Sequence, residues 1–206
     1  MITILDYGMG NVGSVKNALQ ALGAKAIVSA VPADIERASH LILPGVGSFA
    51  EGMRRLSATG LISLLNEAIL KRKKPLLGIC LGMQMLAETG DEGGSCTGLG
   101  FVRGSARRLN VDETIYRLPH IGWNDVAVQP NARLFVGVKR PVFYFVHSYG
   151  LFPADNKVIS GIADYGGRFA AAIETGNIFG VQFHPEKSQE DGLIVLQNFL
   201  NTHALS

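Results

Sequence analysis

Residues 75–84, PLLGICLGMQ, decide how the chain is read. Residues 75–79 form a short apolar run entered through Lys-Pro, too short for a globular helix, which predicts a buried strand. Gly78, Cys80 and Gly82 follow as G-x-C-x-G, and Met83, Met85, Leu86 and Ala87 suit a helix. Strand, tight turn and helix in that order predict a nucleophile elbow with sulfur in place of oxygen. Such a turn pushes one side chain out at the end of a sheet, and its glycines let neighbouring backbone pass close by. A helix N-terminus aimed at the sulfur favours the thiolate. Taken alone, Cys80 also fits a small core hydrophobe, because free cysteine is among the most buried residue types.

Upstream of this stretch, short apolar runs alternate with helical periods. Residues 2–5, 26–28 and 40–43 read as strands. Residues 11–22 carry Val12, Val15, Ala18, Leu19 and Leu22 at helical spacing with Gly23 in the stop position. Two further helical segments run to residue 70, divided by Gly60. Up to residue 88 this alternation implies a mostly parallel sheet with helices on both faces, an α/β three-layer fold. Beyond residue 90 the pattern changes to short β-type runs at 98–109, 123–128, 142–146, 158–163, 169–174 and 179–183. Tyr165-Gly166-Gly167-Arg168 and Thr175-Gly176-Asn177 suit hairpin loops, so an antiparallel β extension is expected in the second half. The chain closes on a helical run after Ser188, where Ser188 and Asp191 have capping-box spacing. With no repeat, low-complexity segment or linker, residues 1–206 read as one domain.

Composition narrows the function. The 206 residues are 47% hydrophobic and 17% charged, which describes a compact globular chain with a sizeable core. A net charge of +2 and the lack of a basic, aromatic-studded stripe argue against nucleic acid. The one basic run, residues 71–74, follows a helical segment and suits a helix C-terminus. Two cysteines without C-x-x-C spacing indicate neither a disulfide framework nor a metal site, and Cys96 in GDEGGSCTG has nothing nearby to activate it. The opening MITILDYG lacks the features of a signal peptide, and no apolar run reaches membrane-spanning length, so a cytoplasmic protein without membrane contact is expected.

GMGNVG at residues 8–13 matches G-x-G-x-x-G, but a dinucleotide site also wants an acidic residue at the end of the second strand. Asp34 lies past Pro32 in a loop, so a tight βα turn is the better reading, and no cofactor is expected. Of the five histidines, His40 and His203 read as surface residues, and no two of His40, His120, His147, His184 and His203 have metal-ligand spacing. His184 differs by its setting, GVQFHPEKS: it ends an apolar run, Pro185 stops the strand, and Glu186 follows. A cysteine nucleophile needs a base, and the base needs a carboxylate to hold its tautomer, so Cys80, His184 and Glu186 form a candidate catalytic set. Parallel strands bring such strand ends together. An attacked carboxamide also needs oxyanion donors. The elbow supplies the amide of Leu81, and the turn PGVGS at residues 44–48 offers a second through Val46 and Gly47.

GICLGMQ and FHPE are the two characteristic segments of the class I, triad-type glutamine amidotransferases, and the chain resembles that family along nearly its whole length. Within it, DYGMGN, PGVGSF, Met83, PHIGWN, YFVHSY and GVQFHPEKS are similar to the glutaminase subunit of imidazole glycerol phosphate synthase. The resemblance implies that Cys80 attacks L-glutamine to give a γ-glutamyl thioester and ammonia, with His184 as acid and base and Glu186 orienting it. It implies that Gly47, Gln84, Ser148 and Tyr149 hold the glutamine. It also implies a heterodimer with a (β/α)8-barrel cyclase making imidazole glycerol phosphate and AICAR, touched through Gly10, Asn11 and Lys187. A glutaminase fold uses the full length, so the ammonia is expected to leave for another chain. Two departures, the lack of an arginine in GNVGSV and Gly150 after His-Ser-Tyr, keep open another acceptor such as a surface-sugar amidating enzyme. A free-standing cysteine hydrolase is the remaining alternative.

Overall fold

The computed structural model describes residues 1–202, so His203 lies outside the described residues. In chain order the elements are β1 (Ile2–Leu5), α1 (Val12–Ala21), β2 (Ala26–Ser29), α2 (Pro32–Arg37), β3 (His40–Gly45) and α3 (Phe49–Ala58). Next come α4 (Ile62–Asn66), which continues into a π-helical turn Glu67–Lys71, then β4 (Leu76–Cys80) and α5 (Leu81–Gln84). The second half holds β5 (Ala87–Gly90), β6 (Cys96–Thr97), β7 (Val102–Arg108), β8 (His120–Asp125), β9 (Ala127–Val128), β10 (Val142–His147) and β11 (Tyr149–Pro153). It closes with β12 (Ile159–Asp164), β13 (Arg168–Thr175), β14 (Ile178–Val181) and α6 (Gln189–Leu200).

The main sheet has the order β2-β1-β3-β4-β14-β13-β12-β9. Its first five strands are mutually parallel, and β13, β12 and β9 continue it antiparallel. Alternate residues of one strand enter different cores, as period-2 geometry requires. Ile2, Ile4, Ile42, Leu77 and Ile79 pack with Val15 and Leu19 of α1 and Leu196 and Phe199 of α6. Leu5, Leu41, Leu43 and Leu76 pack with Met53 and Leu56 of α3 and Leu65 of α4. The sheet is therefore covered on both faces, with a four-stranded sheet (β11-β7-β5-β6) and the β8–β10 hairpin beside it.

Three expectations are corrected. The helix after the elbow is a single turn, α5, and Ala87, expected in that helix, begins β5. Ser188 and Asp191 form no capping box: Ser188 Oγ donates to the His184 carbonyl at 2.7 Å and accepts from the Tyr144 amide at 3.0 Å. The serine is spent fixing the turn that carries His184 instead. The basic run serves helix C-termini as expected: Lys71 stands in the last turn of its own helix and pairs with Glu67 at 2.9 Å, and Lys74 donates to the carbonyls of Ile35, Glu36 and Ala38 at the end of α2. Asp34, expected in a loop, lies in the first turn of α2 because Pro32 starts that helix; it accepts from Ser29 Oγ at 2.7 Å and pairs with Arg37, so its carboxylate has local partners.

Candidate active site

Cys80 ends β4 with φ 53° and ψ −111°, a conformation that costs a side-chain-bearing residue about 1–3 kcal/mol. The neighbouring glycines explain how the turn is tolerated. A Cβ on Gly82 would collide with the Leu43 carbonyl of β3, and one on Gly78 would lie 2.7 Å from the Gly82 oxygen and the Met83 nitrogen. The elbow is thus folded against the adjacent strand with only hydrogen atoms between, and any side chain at 82 would open it. β3 runs alongside in register, pairing Pro44 with Ile79 and Gly45 with Cys80, which brings the PGVGS turn beside the sulfur. Gly47 in that turn has φ +105°, a value that favours glycine.

On the other side β14 pairs in parallel with β4, Gly180 opposite Gly78 and Val181 opposite Ile79. Both strands therefore end together, and the chain leaving β14 delivers His184 next to Cys80. The His184 amide donates to the Tyr144 carbonyl of β10 at 2.9 Å, and Pro185 opens a short 3-10 turn that swings Glu186 back. Glu186 Oε1 lies 2.8 Å from His184 Nδ1, and both side chains are almost fully buried. A carboxylate can only accept, so Nδ1 keeps its proton and Nε2 is the nitrogen that takes up and gives back the second. Nε2 is buried without a hydrogen-bond partner among the described residues. Burial opposes charge on this ring, but the Cys80 sulfur and Glu186 outweigh it and hold the imidazole up at about 9.

Val46, Gly47, Ser48, Cys80, Leu81, Gln84, Glu92, Val146, His147, Ser148 and Tyr149 line a pocket of about 360 Å³. The expected donors and glutamine-holding residues thus share one cavity with the sulfur. Gly10, Asn11 and Lys187 are not among its lining residues. The cavity also contains Glu92, which the sequence reading passed over because GDEGGSCTG resembles an ordinary polar loop. Half-burial and the nearby Asp91 raise its pKa above the usual carboxylate range, although a backbone hydrogen bond at Phe49 opposes this.

Gln182 was also missed. It is wholly buried two residues before His184, and its Nε2 approaches Cys80 Sγ at 3.6 Å. The third omission is a pairing. His120 and His147, far apart in sequence, face each other across β8 and β10 with Nδ1 of His120 3.1 Å from Nε2 of His147. His147 Nδ1 donates to the Tyr149 carbonyl at 2.8 Å, which fixes its tautomer and makes His120 Nδ1 the donor of the pair. Burial lowers His120 to about 4 and His147 to about 3, with the charges of His120 and His184 adding to the fall at His147 while the Tyr149 contact opposes it. A buried thiol, an imidazole oriented by a carboxylate, and a pocket that opens on the sulfur can together perform acyl transfer from a small amide.

A family model described as "Glutamine amidotransferase class-I" matches residues 3–202. The chain is 44% identical over 201 residues to imidazole glycerol phosphate synthase subunit HisH 1 of Campylobacter jejuni, covering 97% of this chain and 99% of that one. It is 47% identical over 199 residues to the HisH subunit of Moorella thermoacetica, covering 96% and 93%. Among solved structures, PurLQS from Thermotoga maritima superposes with TM-score 0.73 at 22% identity, covering 97% of each chain. A structure described as a glutamine amidotransferase superposes with TM-score 0.75 at 20% identity, covering 97% of this chain and 96% of that one. At such identities the superpositions show the fold.

Proposed function

The chain belongs to the class-I glutamine amidotransferases, and from that premise we propose that it is the glutaminase subunit of an imidazole glycerol phosphate synthase. It takes ammonia from L-glutamine and passes it to a (β/α)8-barrel cyclase subunit that makes imidazole glycerol phosphate and AICAR, as a cytoplasmic heterodimer. One observation carries the chemistry: Cys80, His184 and Glu186 converge at the ends of two adjacent parallel strands, with the sulfur opening on the pocket.

The Cys80 proton passes to His184 Nε2, and the sulfur attacks the side-chain amide carbon of glutamine. Amides of Leu81 and of the turn at Val46 and Gly47 stabilise the oxyanion. His184 returns the proton to the nitrogen, ammonia leaves, and a γ-glutamyl thioester remains. His184 then takes a proton from water, which attacks the thioester and releases glutamate and the thiol. Glu186 holds the imidazole in the tautomer that each step needs. Gln84, Ser148 and Tyr149 border the α-carbon end of the substrate, and Glu92 provides the counter-charge for its ammonium group.

We assign partner docking to β8 and the turn at Lys187. Ile121 and Trp123 are exposed on β8, Trp123 meets Tyr144 edge-on, and the Lys187 ammonium stands 5.7 Å from the Tyr144 ring. Gly10 and Asn11 are assigned to the docking surface as well. Their turn rests on the PGVGS turn, where a Cβ on Gly47 would lie 2.7 Å from Met9 Cε. A partner pressing on residues 8–11 therefore acts on the oxyanion turn directly, and glutaminase activity is weak alone and rises in the complex. Ammonia release from glutamine, measured with and without the cyclase and its substrate, tests this. Stimulation that vanishes in Cys80→Ala is expected, and equal activity with and without the cyclase contradicts it. A second acceptor, such as a surface-sugar amidating enzyme, rests on the lack of an arginine in GNVGSV and on Gly150, where an added Cβ would make only ordinary contacts.

A further inference from the structure

Gln182 leaves β14 wholly buried, its amide nitrogen held by the Ala171 carbonyl at 2.8 Å. Its side chain sits between two groups: Cys80 Sγ lies 3.6 Å from Nε2, and Oε1 accepts from Gln84 Nε2 at 3.1 Å. The two ends of a side-chain amide have the same shape, so its direction is set by a neighbour able to play only one role. The Tyr149 carbonyl is that neighbour, since it only accepts, and Gln84 Nε2 donates to it at 2.8 Å. Gln84 therefore turns its nitrogen toward both Tyr149 and Gln182. Gln182 must then offer oxygen to Gln84 and N–H to the sulfur. Reversing Gln84 would set oxygen against oxygen, and reversing Gln182 would set nitrogen against nitrogen and oxygen against the sulfur, each leaving buried polar groups unmatched.

We propose that Gln182 is a further catalytic residue: a standing hydrogen-bond donor to Cys80 Sγ that stabilises and aims the thiolate, with its direction fixed by Gln84 and the Tyr149 carbonyl. The thiol proton goes to His184, while Gln182 keeps both of its own and contributes only a hydrogen bond. Cys80 Sγ also lies 3.9 Å from the Val146 carbonyl, an acceptor that cannot stabilise a thiolate. The single turn of α5 has too few aligned peptides to contribute a substantial dipole, which leaves Gln182 and His184 as the groups that favour the anion.

The inference rests on Cys80 being the nucleophile, but its test needs no glutamine turnover, so the two readings fail separately. In a Cys96→Ser background Cys80 is the only thiol, and its alkylation by iodoacetamide is followed from pH 5 to pH 11. Gln182→Met, similar in length and without a donor, is expected to slow alkylation at pH 7 about tenfold and leave the alkaline plateau unchanged. Gln84→Met, which does not touch the sulfur, removes the lock on Gln182 and slows it by a smaller factor. Gln182→Glu keeps the volume and sets a carboxylate against the thiolate, and slows it most. Cooperative thermal unfolding identifies folded variants. A parental rate at pH 7 in either folded Gln182 variant overturns the proposal, as does slowing by one factor at every pH, which marks a purely steric role.

Discussion

Two buried pairs of groups, both set against β10, treat the imidazole ring in opposite ways. At the end of β14, His184 has a carboxylate on Nδ1 and a sulfur near Nε2, and it is held up at about 9. In the β8–β10 hairpin, His120 and His147 have each other, a backbone carbonyl and aromatic rings, and both fall to about 4 or below. Burial acts in the same direction on all three, so the difference lies in the partners. Anionic partners reverse the effect of burial, whereas a neutral chain of donors and acceptors leaves it in force. The neutral pair also serves His184, because a second imidazolium would repel its charge.

The largest expected break in this contrast is Glu186→Gln. It removes the charge that orients His184, so kcat falls about 10³-fold and the His184 titration, followed by NMR, moves down. Next is the alkaline limb. A pKa raised to about 9 means that the imidazolium is fully formed below 6.5 and is lost as pH rises through 9. The stability it contributes declines from pH 6.5 up to 9, while the proton for departing ammonia is lost only above 9, so kcat should fall about tenfold per pH unit there. Glu92→Gln is expected to raise KM for glutamine several-fold with kcat nearly unchanged, the pattern of a lost binding contact. The smallest effect on activity belongs to the neutral pair. His120→Phe keeps the stacking on Tyr165 and Phe145 but strips His147 Nε2 of its donor. About 1–2 kcal/mol of stability is lost, read from the denaturation midpoint, and kcat stays within about threefold.

The parallel half of the fold was legible because its strands and helices have separate periods, and G-x-C-x-G and His-Pro-Glu carry their chemistry in contiguous residues. The short helix α5 was not legible: Met83, Met85, Leu86 and Ala87 are apolar because they enter a core, and only tertiary packing decides that Ala87 starts a strand. Ser188 was misread for a related reason. Its spacing from Asp191 suits a cap, but β10 brings the Tyr144 amide to the hydroxyl first. Gln182, Glu92 and the His120–His147 pair act through partners distant in sequence. Their roles exist only once β4, β8, β10 and β14 are assembled.

The most direct test of Cys80 as nucleophile is the mass of the protein quenched in acid during turnover of glutamine with the cyclase present. One glutamyl group is expected on the peptide containing Cys80, none on the peptide containing Cys96, and none anywhere in Cys80→Ala. Ammonia released with Cys80 never modified, or by Cys80→Ala at the parental rate, would contradict it.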